Sequence, residues 1–376
     1  MNFIPYSKQN ISNEDIEAVV ETLKSDYLTT GPKIKEFEEA LCDYTNAKYC
    51  ISVSNGTAAL HLASLVLLDK DDKVLTTPNS FLATSNSILY VNAKPIFVDI
   101  CEDGNIDLDL CEEELKKDTS IKAIYVVHFS GHNVNQKRLK ELKEKYDIKI
   151  LEDCAHSIGA VNDSVKAGSC VNSDISTFSF HPVKGFTTGE GGAITTNSKE
   201  IYEKLLVLRN HGMKANPDIA PWHYDMAELG FNYRLTDISC ALGISQLKRL
   251  DDFLEKRRTL AKRYCEIFKK YDFIKPIYDF THGSAYHLFV VNIDFDKFDT
   301  DKKDFVLKMR EKNIGLQFHY IPINKQPYYQ NLGYGGEKTF IMDKYYKETI
   351  SLPLYVNLTN EEQDYVITSI LEVLDV

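Results

Sequence analysis

The chain has 376 residues, 43% of them hydrophobic and 26% charged, a composition that excludes a disordered polymer and leaves room for two domains. Its net charge of −11, with acids and bases interleaved along most predicted helices, excludes a general nucleic-acid binder. Eight cysteines with no C-x-x-C pair, and a polar N-terminus interrupted by Pro5, predict reduced thiols in a cytoplasmic protein without a signal peptide or a membrane-spanning run.

Along the chain, Ser12 followed by Asp15 predicts a capped helix start ahead of IEAVVETL, and Pro32 predicts the first turn of a second helix, PKIKEFEEALCDY. Short β-rich runs follow at YCISV (49–53), KVLTT (73–77), KPIFVD (94–99), KAIYVVHF (122–129) and IKILED (148–153), alternating with helix-like segments. This alternation predicts an α/β fold whose sheet is mostly parallel and covered by helices on both faces. After residue 170 no helix separates ISTFSF (175–180) from GAITT (192–196), so these strands are predicted to be antiparallel neighbours or members of one mixed sheet. One continuous helical pattern, from Asp237 to about Tyr271, is predicted to join a large domain, residues 1–250, to a small α+β domain, residues 251–376. The small domain reads as a strand at HLFVVNIDF (287–295), a helix after Asp301, a strand at GLQFHYIP (315–322) and a closing helix from Glu361.

Open α/β sheets bind ligands at the carboxyl ends of their strands, so the residues that follow each strand carry the chemistry. SNGTAALHLA (54–63) offers Gly56 for a tight turn, the Thr57 hydroxyl and a helix N-terminus, a pattern that serves as a phosphate cradle or as an ordinary capped helix. LEDCAHS (151–157) ends an apolar strand in two carboxylates, Glu152 and Asp153, fit to bind a metal, act as a base or pair with a protonated ring nitrogen. His156 lacks further ligands at supporting spacing and reads as a buried, hydrogen-bonded histidine. In STFSFHPVKGFTTGEGG (176–192) a period of two puts the aromatic rings of TFSF on one face and the hydroxyls of Thr177 and Ser179 on the other. Lys184 follows, and Gly185, Gly189, Gly191 and Gly192 are expected to let the backbone approach a bound ring closely. Pyridoxal phosphate needs what these segments hold: donors for its phosphate, an acid partner for its ring nitrogen and a lysine for its aldehyde.

Together NGTAAL, EDCAHS, FSFHPVK, TTGEGG and LGFNYRLTDISCALG resemble the DegT/DnrJ/EryC1/StrS sugar aminotransferases over essentially the whole chain. FSFHPVK with PWHYDMAELGFNYRLTD is similar to the branch of that family that serves pseudaminic acid biosynthesis. The resemblance implies a pyridoxal-phosphate-dependent transferase of fold type I, a homodimer with shared active sites. It implies that Lys184 carries the cofactor covalently and shuttles a proton, and that Asp153 pairs with the pyridine nitrogen. Gly56, Thr57, Ala58 and Ser179 correspond to the phosphate cup, Phe81 to a ring-stacking aromatic, and His156 to a histidine behind or against the ring. Asn232 corresponds to an asparagine given to the neighbouring subunit's phosphate. Tyr6, Thr29 and the run Gln317, Phe318, His319 and Tyr320 correspond to the lining of a sugar-nucleotide site, although QFHY reads equally as an edge strand.

The implied reaction moves the amino group of L-glutamate to C4 of a UDP-linked 4-keto-6-deoxy-N-acetylhexosamine, with a dTDP- or GDP-linked keto sugar as the neighbouring alternative. Departures from the branch at Asn55, Gly56, Gly185 and Phe186 remove no catalytic group, and glycine at 185 is expected to widen the floor of the site. Lys184 argues against the dehydratases of this fold, which carry histidine there. A ligand sensor built on the fold is expected to add a DNA-binding segment, and the first β-α turn lacks the G-x-G-x-x-G of nicotinamide enzymes. Arg234, beside Asn232, reads as a brace of the subunit interface or a ligand of the diphosphate.

Overall fold

The computed structural model describes residues 2–376. Helices α1 (Asn13–Leu23) and α2 (Pro32–Thr45) precede β1 (Tyr49–Val53), α3 (Gly56–Leu67), β2 (Lys73–Thr76), α4 (Leu82–Tyr90), β3 (Lys94–Phe97), α5 (Leu108–Lys117), β4 (Ile121–Val127), α6 (Gln136–Tyr146) and β5 (Lys149–Asp153). A short hairpin, β6 (Val161–Asn162) and β7 (Val165–Lys166), leads to β8 (Ile175–Ser179), β9 (Gly192–Thr196) and α7 (Lys199–Arg209). The predicted starts of the first two helices are present: Ser12 and Asp15 form a capping box on α1, and Pro32 opens α2.

The large sheet runs in the order β1-β9-β8-β5-β4-β2-β3, parallel from β8 to β3, with β9 antiparallel to both β8 and β1. Its central strands are apolar on both sides because both sides are covered. Ile124, Val126 and Ile150 pack into one helical layer, while Ala123, Tyr125 and Leu151 pack into the other. This leaves polar function to the strand ends, where β5, β8 and the start of α3 come together.

A second ribbon, β10 (Met213–Ala215) and β11 (Tyr224–Met226), precedes α8 (Asp237–Leu247) and α9 (Leu250–Phe268). The single helix predicted from Asp237 is therefore two. The chain turns at Lys248 and Arg249, where the Arg249 guanidinium is drawn to Asn10 and to the buried carboxylate of Asp15. Across this turn the burial continues, with Cys240 and Leu247 of α8 and Leu250, Phe253 and Leu254 of α9 joining Phe37 and Leu41, and only the later part of α9, Leu260, Tyr264 and Phe268, enters a C-terminal core. That core lies on an antiparallel sheet, β12 (Ile274–Pro276), β13 (Phe289–Ile293) and β14 (Thr349–Leu352), covered by α10 (Lys302–Glu311) and α13 (Asn360–Val373). Helices α11 (Pro327–Asn331) and α12 (Phe340–Glu348) stand between α10 and β14.

The strand predicted at 315–322 does not form. Among the described residues its link to the sheet is a bridge between Gln317 and Ser351. Its later backbone donors go to the large domain's loops, Tyr320 N to Asn79 Oδ1 at 3.1 Å and Ile323 N to Pro78 O at 3.1 Å. The segment crosses from one sheet's territory to the other's instead of extending either.

Asp15 ties α1 to the junction of α8 and α9. Fully buried, it accepts hydrogen bonds from Ser245 Oγ at 2.7 Å, Gln246 Nε2 at 2.6 Å and the Arg249 guanidinium. Asp15→Ala strips these donors of their acceptor, and the expected loss is about 3 kcal/mol, read as a lower urea midpoint. An unchanged midpoint would show that the network contributes nothing to stability.

Candidate active site

A cavity of about 820 Å³ opens where the carboxyl ends of β5 and β8 meet the N-terminus of α3 and the 317–320 segment, a size suited to a cofactor with part of its substrate. β5 ends in Asp153, 5% exposed, whose Oδ2 accepts from Thr84 Oγ1 at 2.7 Å and whose Oδ1 accepts from Ala155 N at 3.0 Å. The single proton of Thr84 is committed to that carboxylate, so its 2.7 Å contact with Ser80 Oγ has Ser80 as the donor. Glu152, one residue earlier, faces the other side of the strand, as a period of two requires. There it accepts from His128 Nε2 at 2.8 Å, Gln136 Nε2 at 2.8 Å and Ser173 Oγ at 2.5 Å, away from the cavity. Of the two carboxylates in LEDCAHS, Asp153 alone lines the site.

Lys184 lines the same cavity and forms no ion pair among the described residues. Burial pushes its amine down to about 8, and the Asp153 carboxylate pulls in the opposite direction. Asn55 caps α3, its Oδ1 accepting from Ala58 N at 2.8 Å. The Ala58 amide is engaged by this cap, and Ala58 lines the cavity beside Gly56 and Thr57. The amides of Gly56 and Thr57 stand at the helix end with no intrahelical acceptor, positive dipole outward. A Cβ on Gly56 would lie 2.9 Å from that of Ser179, so glycine is what allows α3 to start against β8. The Thr177 hydroxyl is buried in the cavity wall without a partner.

The glycines after Lys184 serve a different purpose from the one expected. None of them lines the cavity. A Cβ on Gly185 would come within 2.6 Å of Ile158 Cγ2, and one on Gly192 within 2.6 Å of Asn55 O, so the close approaches they permit are to the protein's own chain. Gly185 therefore does not widen the floor of the site.

His156 lines the cavity, 6% exposed, its Nε2 lying 3.1 Å from the Tyr320 hydroxyl. Burial, then the nearby Lys184 and His319, hold its pKa well below the usual histidine value. His319 Nδ1 lies 2.8 Å from Ser351 Oγ, and burial with Lys184 pushes that ring down to about 3. Gln317, Tyr320 and Tyr6 also line the cavity. Phe81 is 60% exposed, so it is not a core phenylalanine; it presents its ring on the cavity side, 6.3 Å from that of Tyr320.

Three residues assigned from the sequence lie outside this cavity. Phe318 turns the other way, under the Lys302 ammonium at 4.7 Å, because alternation along the segment sends it from the face that His319 occupies. Thr29 bridges Thr236, in a turn held by the Asp237 carboxylate through Gly31 N at 2.7 Å and Lys33 N at 2.9 Å. Asn232 bridges Asn210, whose Oδ1 accepts from Arg234 Nη1 at 2.5 Å. Sequence reasoning missed Thr84, Ser80, Tyr233 and His287, all of which line the cavity. Thr84 stands one helical turn after Phe81, and that spacing was the available signal. No cluster of three His, Cys, Asp or Glu side chains is arranged to hold a metal ion among the described residues, and no helix is long and apolar enough to cross a membrane.

The model of the DegT/DnrJ/EryC1/StrS aminotransferase family matches residues 9–371. The UDP-4-amino-4,6-dideoxy-N-acetyl-beta-L-altrosamine transaminase of Campylobacter jejuni is 40% identical over 375 residues, covering 99% of this chain and 98% of the relative. Among solved structures, Helicobacter pylori PseC, an aminotransferase involved in the biosynthesis of pseudoaminic acid, superposes with a TM-score of 0.93 at 32% identity over 100% of both chains. Spr1654 of Streptococcus pneumoniae in its PLP form gives 0.91 at 29% identity over 99% of each. The fold, the placement of a lysine and an aspartate on one cavity, and the full-length match lead to one conclusion: the chain belongs to the DegT/DnrJ/EryC1/StrS aminotransferase family.

Proposed function

We propose that the protein is a pyridoxal-phosphate-dependent aminotransferase that takes an amino group from L-glutamate and delivers it to C4 of a UDP-linked 4-keto-6-deoxy-N-acetylhexosamine, in the biosynthesis of pseudaminic acid. The observation that carries this reading is the shared cavity of Lys184, Asp153 and the open end of α3, in a chain 40% identical to an altrosamine transaminase. The residues fit the cofactor. The unpartnered Thr177 hydroxyl and the close seat of Gly56 on Ser179 leave a donor-rich concavity at a helix N-terminus, where a phosphate is favoured.

When bound, pyridoxal phosphate supplies an electron sink for the carbon next to the transferred nitrogen. The rest is the work of the chain. Gly56 N and Thr57 N, with the Thr57 and Ser179 hydroxyls, would hold the phosphate, and the exposed Phe81 ring would pack against the cofactor. Asp153, fixed by Thr84 and Ala155, would offer its carboxylate to the ring nitrogen and keep it protonated. The Lys184 Nζ, with its pKa pushed down to about 8, has a neutral fraction near physiological pH and so removes and returns the proton at the substrate carbon. His156 and His319 stay neutral and offer polarity without a competing charge.

Asn232 and Thr29, which lie outside the cavity of their own chain, suit a homodimer in which each copy completes the other's site. The division into residues 1–250 and 251–376 fits this scheme, since the second part supplies the 317–320 wall. A cytoplasmic enzyme is consistent with eight unpaired cysteines.

Incubation with L-glutamate and a panel of UDP-, dTDP- and GDP-linked 4-keto sugars is expected to yield the amine of the UDP sugar by mass. Turnover of simple keto acids alone would overturn the substrate class. For Lys184 the neutral amine is the nucleophile, so capture of pyridoxal phosphate by the apoprotein should rise as pH passes about 8, well below the ~10.4 of a free lysine. Because the Asp153 charge raises that value, Asp153→Asn should move the midpoint to lower pH. A midpoint near 10, or a shift upward, would contradict this electrostatic account.

A further inference from the structure

We propose that His287 is a specificity-determining residue of this cavity, its Nε2–H donating a hydrogen bond to an uncharged oxygen of the acceptor sugar. The inference rests on the aminotransferase reading above and adds to it a residue whose role neither the motifs nor the family resemblance supplied. His287 precedes β13 of the C-terminal sheet, yet it lines the cavity with Lys184 and is 3% exposed. Its ring packs on that of His156, centroids 4.4 Å apart. Nδ1 is enclosed without a partner, while Nε2 makes no hydrogen bond within the described chain and is the nitrogen left facing open space.

A neutral imidazole carries one N–H. An enclosed N–H with no acceptor is rarer in folded proteins than an unsatisfied acceptor, so the proton belongs on Nε2, where a ligand oxygen can take it. Burial, reinforced by His156 and Lys184, holds the ring's pKa well below the usual value and keeps it uncharged. An uncharged donor in a dry wall matches a ketone, hydroxyl or acetamido oxygen; a carboxylate would call for a cation.

The backbone gives independent support. Tyr286 has φ 44°, a left-handed conformation that is an outlier for a bulky side chain. It is braced on every side: its N–H donates to Ser284 Oγ at 3.1 Å, and its hydroxyl accepts from Thr281 N at 3.0 Å. Its carbonyl and that of His287 each accept from the buried Arg257 Nη1 at 3.3 Å. From the large domain Gly131 presses so close that a Cβ there would lie 2.9 Å from Tyr286 N and 3.0 Å from His287 N. A strained residue held from two domains aims the next side chain, a requirement that mere space-filling would not impose.

The test uses the holoenzyme with its two half-reactions timed separately, first with L-glutamate and then with the UDP-linked 4-keto sugar. His287→Phe keeps a ring and removes the donor; His287→Gln restores a donor. In His287→Phe, kcat/KM for the sugar half should fall about 10- to 100-fold further than for the glutamate half, and His287→Gln should recover a large part of that difference. Should His287→Phe not accumulate, His287→Met gives the same donor-free comparison. Parallel losses in both halves, or equal impairment by Phe and Gln, would overturn the assignment while leaving the aminotransferase reading intact. A wild-type enzyme that runs the glutamate half and aminates no sugar nucleotide would instead overturn the parent reading.

Discussion

The arrangement of the cavity depends on a single carboxylate held at the end of a buried strand. Asp153 has no freedom to turn: Thr84 donates to one oxygen, Ala155 to the other, and the strand beneath pairs with β4 and β8. Its position sets the electrostatics across the cavity, because burial alone would carry the Lys184 amine lower and the Asp153 charge draws it part of the way back. The balance leaves an amine that is neither locked in its ammonium form nor stripped of its basicity. Loss of Thr84 would free the carboxylate to rotate, and the effect would reach the lysine without touching it.

Around this pair the wall is polar but almost free of charge. His156, His287 and His319 are all buried and all held neutral, chiefly by desolvation and then by the neighbouring amine. Tyr320 keeps its proton because burial, and then the Asp153 charge, raise its pKa. Further cations here would lower the lysine still more and weaken the aspartate's hold on a ring nitrogen. The large domain provides Lys184, Asp153 and the open end of α3, the proposed phosphate seat, and the C-terminal part closes the other side through 317–320 and His287. The crossing is fixed by hydrogen bonds from Tyr320 and Ile323 to the loop after β2.

Much of this was legible in the sequence, for identifiable reasons. Strands of the large sheet are short, apolar and separated by amphipathic helices, so their period and spacing are unambiguous, and the absence of a helix between 180 and 192 marked the antiparallel pair. Asp153 stands out because a charged group at the end of an apolar strand needs a reason, and Lys184 because it follows β8 in a glycine-rich loop. The break at Lys248 and Arg249 was hidden because the apolar stripe continues across it into the same core, Leu247 on one side and Leu250, Phe253 and Leu254 on the other. The 315–322 segment alternates like a strand, and nothing local reveals that Asn79 and Pro78 take its backbone donors. His287 reaches the cavity through contacts across the fold, which no spacing in the chain encodes, whereas Thr84 was marked only by its place one turn after Phe81.

The central claim is that one amine in this cavity bonds the cofactor. The direct measurement is borohydride reduction of the protein loaded with pyridoxal phosphate, followed by digestion and mass analysis of every lysine-containing peptide. The account predicts a single stable adduct, located at Lys184. An adduct on a different lysine, or none on a protein that still transfers amino groups, would contradict it.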